Sequence, residues 1–88
     1  MTEDDFREQL ARRGYGDPEL TEYQPDADGR FHAHDFSAML LVTAGEFRLV
    51  LEDETEVFGV GDWCEVPAGT VHFEQSGSDG ASILAAKK

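Results

Sequence analysis

The chain is poor in most of the residues that give small proteins special chemistry or special addresses. It has one cysteine, Cys64, in 88 residues. A lone thiol cannot form an intrachain disulfide, so the fold must rest on burial, and a reducing, cytoplasmic setting is the expectation. Only 7 residues are Lys or Arg against 19 Asp or Glu, a net charge of −12. That balance leaves no basic patch to neutralise phosphate, which argues against nucleic acid and anionic membrane surfaces as partners. No apolar run approaches the ~18 residues of a transmembrane helix. The acidic start "MTEDDFREQL" has none of the apolar centre of a secretory signal. Histidines and prolines are equally scarce, so where they fall is informative.

What is present is a globular composition, 40 % hydrophobic and 30 % charged. A domain of this size buries only ~60–65 % of the surface its unfolded chain exposes, so covering one more apolar face is a real gain. Residues 1–19 form an N-terminal helical segment. Thr2 is a capping residue, Asp4 and Asp5 suit a first turn, Arg12 and Arg13 a last one, and Gly14 a left-handed stop. Phe6 and Leu10 make a narrow apolar stripe four residues apart.

From residue 20 to 88 the helical period disappears. "LTEYQ" reads as a strand and "PDADG" as a turn. "RFHAHDFSAMLLVTAG" reads as a β-rich run ending at Gly45. "EFRLVLED", "ETEVFGVG", "DWCEVP", "AGTVHFEQ" and "ASILAA" follow as strands, with "SGSDG" as the last turn. Six or seven short strands with Gly-rich turns predict an all-β antiparallel sandwich or barrel behind one short helix.

His32 and His34 lie two apart, so a strand would point both imidazoles to one face. His72 follows the turn Pro67-Ala68-Gly69, whose restricted backbone angles aim whatever comes next. Two readings stand on these residues alone. The three imidazoles converge on a divalent transition ion, or His32 and His34 are a solvent-facing pair and His72 a core residue.

The downstream pattern tips the choice. "HAHDFSAMLLVTAG" followed by "GDWCEVPAGTVHFEQS" resembles the two motifs of the cupin family. Those motifs read His-x-His, three or four residues, Glu, six residues, Gly, and later Gly, five residues, Pro-x-Gly, two residues, His. His32, His34, Gly45, Gly61, Pro67, Gly69 and His72 stand at the family spacing. The resemblance implies a jelly-roll, or double-stranded β-helix, barrel over residues 20–88. It also implies a divalent transition metal (Fe, Zn, Mn or Ni) held by His32, His34 and His72. The implied activity is that of a metal-dependent dioxygenase or isomerase acting on a small molecule. The alternative is a non-catalytic module that binds a small ligand or senses the metal.

Two positions depart from the family pattern. Its motif-one Glu falls at Ala38, and its terminal Asn at Ser76. Three neutral imidazoles would leave the full charge on the ion, as in the three-histidine variants among cupin thiol and diketone dioxygenases. Glu74, on the same face of its strand as His72, is the candidate ligand, neighbouring base or proton shuttle, the other reading being a rim carboxylate paired with Arg.

With His32 and His34 inward, parity places Phe36, Ala38, Leu40 and Val42 inward and Met39 and Leu41 on the outside. That apolar strip predicts either a homodimer or cover by Phe6 and Leu10. Phe47 and Trp63 read as core rather than pocket, and Cys64 as a buried thiol without a base beside it.

Overall fold

The Thr2 hydroxyl accepts the Asp5 N–H at 3.1 Å and starts helix α1 (Glu3–Arg13). Three acidic residues in the first turn and two arginines in the last complement the helix dipole, and Gly14 ends it. Glu3–Arg7 and Glu8–Arg12 pair along the exposed face at i,i+4 spacing. The computed structural model describes residues 1–88. Beyond α1 lie strands β1 (Glu19–Tyr23), β2 (Ala38–Leu51), β3 (Thr55–Phe58), β4 (Trp63–Val66) and β5 (His72–Lys87).

All pairings are antiparallel. The order is β1-β5-β2-β3, with β4 also on β2. The two long strands do the work of four. Residues 38–45 of β2 pair with the second half of β5 and, at 38–41, with β4. Residues 47–51 pair with the first half of β5 and, over 47–50, with β3. The halves fold over one another around a shared core. Leu40, Val42, Val66, Ala81 and Ile83 come from one half, Phe47, Leu49 and Phe58 from the other.

The bend lies at two glycines. Gly45 and Gly80 have φ of 74° and 76°, and the β2–β5 register slips on either side of Gly45. A Cβ on Gly45 would overlap the Gly80 carbonyl oxygen, so the strands cross here closer than any side chain permits. This corrects two expectations. Gly45 does not end a strand, and "SGSDG" is not a turn but the bent middle of β5. Local composition gives the same glycines to a turn and to a bulge. The strand count falls to five for that reason. The ladder also leaves β1, β3 and β4 as edges, so the predicted barrel is an open one.

A second apolar cluster decides the fate of the outer strip. Phe6, Leu10 and Tyr15 pack on Met39, Leu41, Leu84 and Ala86, with Phe6 fully buried. Parity therefore placed Met39 and Leu41 on the right face, and α1 covers them within one chain. Each such side chain contributes about 1.5–3 kcal/mol by leaving water. The strip consequently carries no argument for a homodimer. Trp63 departs from its core assignment. It is 37 % exposed on β4, with the Arg13 guanidinium 5.2 Å from its ring centroid.

Candidate metal centre

His32 and His34 precede β2 rather than lying in a strand. Their segment touches the sheet only through a two-way bridge. The His32 N–H donates to the His72 carbonyl at 2.9 Å, and the His72 N–H donates back at 3.0 Å. Exposure still alternates from Phe31 to Phe36, with both histidines on the less exposed parity. The same-face inference thus survives without the ladder that suggested it. Gly69 N–H donates to the His34 carbonyl at 2.9 Å, tying the Pro67-Ala68-Gly69 turn to the first histidine pair. That turn sets His72 at the start of β5. Ser76, where the family has Asn, is buried and accepts from Ala27 N–H while donating to the Gln24 carbonyl, holding the loop that leads to His32.

The three rings meet. Centroid distances are 4.6 Å for His32–His72, 4.8 Å for His32–His34 and 5.6 Å for His34–His72. Glu74 joins them from β5, its Oε1 3.2 Å from His72 Nε2 and 3.5 Å from His32 Nε2. The four side chains offer ligand atoms all within 4.8 Å of one another. His72 is buried, and the other three are partly so.

Hydrogen bonds behind the rings fix which nitrogens face the cluster. His32 Nδ1 lies 2.6 Å from the Arg30 carbonyl and His72 Nδ1 2.8 Å from the Thr70 carbonyl. A carbonyl can only accept, so both Nδ1 atoms carry the proton and donate it. Nε2 is then the free ring nitrogen in each, and both aim at one carboxylate oxygen. Four electron-pair donors gathered at one point are what a divalent ion fits. Ligand atoms ~2.0–2.2 Å from a shared ion lie ~3–4 Å apart, so closing on one takes shifts of less than about 1 Å. Backbone carbonyls behind metal-facing imidazoles also match the outer-sphere arrangement of known sites.

His34 is held by stacking on Phe36, with centroids 4.5 Å apart and planes at 18°. Beside the cluster opens a cavity of about 230 Å³ with predominantly apolar walls. Phe36 and Ala38 line it as parity predicts, and Phe47 stays in the core. Thr21, Tyr23 and Lys87 line it too, and nothing in the sequence pointed to them. They arrive by pairing, since β1 lies against Ala81–Ala85 and Lys87 sits opposite Ala38. Burial, then the Glu74 charge, pushes the Tyr23 hydroxyl up to about 12, so the phenol that lines the cavity keeps its proton. Burial, then Glu56, pushes the Cys64 thiol up to about 12, which makes it a poor nucleophile. Gln75 points away and donates to Asp28.

A family profile described as "Cupin domain" matches residues 19–85. No curated protein matches the sequence significantly. Among solved structures, the fold is similar to a protein of unknown function from Rhizobium leguminosarum bv. viciae 3841. The TM-score is 0.72 at 18 % identity, over 82 % of this chain and 73 % of that one. It is similar to a cupin superfamily protein from Desulfitobacterium hafniense DCB-2, with TM-score 0.68, 18 % identity, and 76 % and 61 % coverage. It is also similar to Bacillus subtilis oxalate decarboxylase, a protein with Mn(II) centres, with TM-score 0.70 and 24 % identity. That match covers 78 % of this chain but only 20 % of the decarboxylase. Likenesses at these identities establish the fold.

Proposed function

A chain matched by the cupin domain over residues 19–85 belongs to the cupin family, and from that premise we propose that it is a metal-dependent cupin acting on a small molecule. Its ion is held by His32, His34, His72 and Glu74. The observation that carries this reading is the convergence of two Nδ1-protonated imidazoles and one carboxylate on a common point. Glu74 supplies, from the second motif, the carboxylate that Ala38 removes from the first. Iron, zinc, manganese and nickel all accept this donor set. Manganese has the added support of the Mn(II) centres in the similar decarboxylase.

The chain's residues have separable roles. Arg30 and Thr70 carbonyls keep the His32 and His72 rings in the tautomer and orientation that present Nε2. Phe36 holds the His34 ring by stacking. The apolar walls keep bulk water from the bound molecule, and the Tyr23 hydroxyl donates a hydrogen bond to it. When bound, the ion supplies Lewis acidity at an oxygen of the substrate. Lewis acidity at a bound oxygen suits dioxygenase or isomerase chemistry, with Glu74 serving as a ligand rather than as a free base.

Protein purified without a histidine tag tests the reading. About one equivalent of transition metal per chain, lost in His72→Ala, is the expected result. Oxygen uptake by iron-loaded protein over thiols, diketones and catechols then speaks to catalysis. Bound metal with no turnover would favour a sensor or binding module instead. Metal-free protein that also rejects added metal would end the proposal.

A further inference from the structure

The cavity holds one lysine or arginine, and its position sets a distance. The Lys87 ammonium sits 4.7 Å from the Phe36 ring centroid, and that ring stacks 4.5 Å from His34. The Phe36 ring therefore touches both the imidazole cluster and the positive charge of Lys87, an exposed residue at the cavity's edge. Between the two ends the walls are apolar, formed by Leu40, Val66, Ile83 and Ala85. The cavity's one carboxylate, Glu74, lies at the cluster end. With that carboxylate committed to a divalent ion, the cavity is net positive at both ends, in a chain whose overall charge is −12.

We infer that the cavity takes a small organic acid, with a metal-seeking oxygen at one end, a short apolar body, and a carboxylate countered by Lys87 at the other. This rests on the proposed metal centre. The volume of about 230 Å³ limits the body to roughly one ring or a short branched chain, below the ~300–1,000 Å³ of pockets for drug-sized ligands. Long-range repulsion by the acidic surface slows entry of anions. Selectivity for them is thus a local property, made by Lys87 and the ion together. Lys87 is a specificity residue in this account. It does not touch the metal ligands, so its removal should leave metal binding intact.

Protocatechuate is a suitable probe, because its catechol oxygens seek metal and its carboxylate lies one ring away. Its neutral amide has the same shape. Calorimetric titration of both into zinc-loaded protein at low salt, with zinc content measured for every variant, makes the test. The acid should bind more tightly than the amide by on the order of 5-fold, a partly screened ion pair. Lys87→Ala should erase that preference at unchanged zinc content, and Lys87→Arg should retain most of it. Equal affinity for acid and amide in the unaltered protein would overturn the inference, as would failure of both to bind. A preference that survives Lys87→Ala would overturn it as well. Each of these with zinc still bound leaves the metal centre standing, whereas protein that binds neither zinc nor manganese, iron or nickel sinks both.

Discussion

The Glu74 carboxylate meets the His72 imidazole at 3.2 Å along one strand, although the first motif of this chain has Ala38 where its family carries the acidic residue. Two residues of β-strand return to the same face. A carboxylate lost from one segment is thereby available from another, at nearly the same place in space.

Replacement of Glu74 by Gln keeps the side-chain shape and removes the charge. Metal affinity, read by competition with a chromophoric chelator, should fall at least ~10-fold with unchanged circular dichroism. An unchanged affinity would return Glu74 to the rim.

Metal itself should stabilise the fold. Ion at about 100 times its dissociation constant adds about 2.7 kcal/mol to unfolding, so the melting temperature should rise with metal and drop with chelator. In His72→Ala the two curves should coincide.

The helix-borne cluster gives a stability test. Phe6→Ala empties a fully buried site between α1 and Met39. It should cost about 3–5 kcal/mol in denaturant unfolding, and the uncovered strip should promote self-association at high concentration. Loss of less than 1 kcal/mol would mean that α1 is a loose brace.

At the strand crossing, Gly45→Ala places a methyl where the Gly80 carbonyl oxygen lies, at a backbone angle that L-residues avoid. A loss above ~2 kcal/mol, or insoluble protein, is expected. Substitution at Gly14 also meets a left-handed angle but no nearby atom, and should cost less.

Acid stability should depend on Tyr15. Its hydroxyl donates to Glu65 Oε2 at 2.6 Å, and this bond first, with Arg13 adding to it and burial opposing it, lowers the Glu65 carboxyl below its ordinary 4.5. A carboxyl more acidic in the folded state than in the unfolded one stabilises the fold above pH 4.5. That contribution is lost as pH falls through the lower folded value. Tyr15→Phe should therefore cost about 1 kcal/mol at neutral pH and progressively less below pH 4.5, seen by unfolding at several pH values.

Much of the site was legible beforehand because its signals are local. His32, His34 and His72 stand at fixed spacing from Gly and Pro residues, and Glu74 shares a parity with His72. Those relations rest on side-to-side alternation, turn chemistry and the match to the two cupin motifs. Tyr23, Thr21 and Lys87 escaped notice because they reach the cavity through the pairing of β1 with β5 and of Ala38 with Lys87. Pairing partners leave no mark on either segment alone. Trp63 misled for a related reason, since an indole reads as core until Arg13 is found lying over it.

Alternation and capping residues determined α1 and the inward and outward faces, and the resemblance to the two cupin motifs supplied the three-histidine set, since each rests on relations over a few residues. Tertiary structure decided the rest. It made Gly45 and Gly80 a crossing rather than turns, laid α1 over Met39 and Leu41, and brought Glu74 against two imidazoles from another segment. Each of these outcomes is a contact between residues far apart in the chain. Such contacts depend on the packing of the whole sheet, which no local pattern encodes.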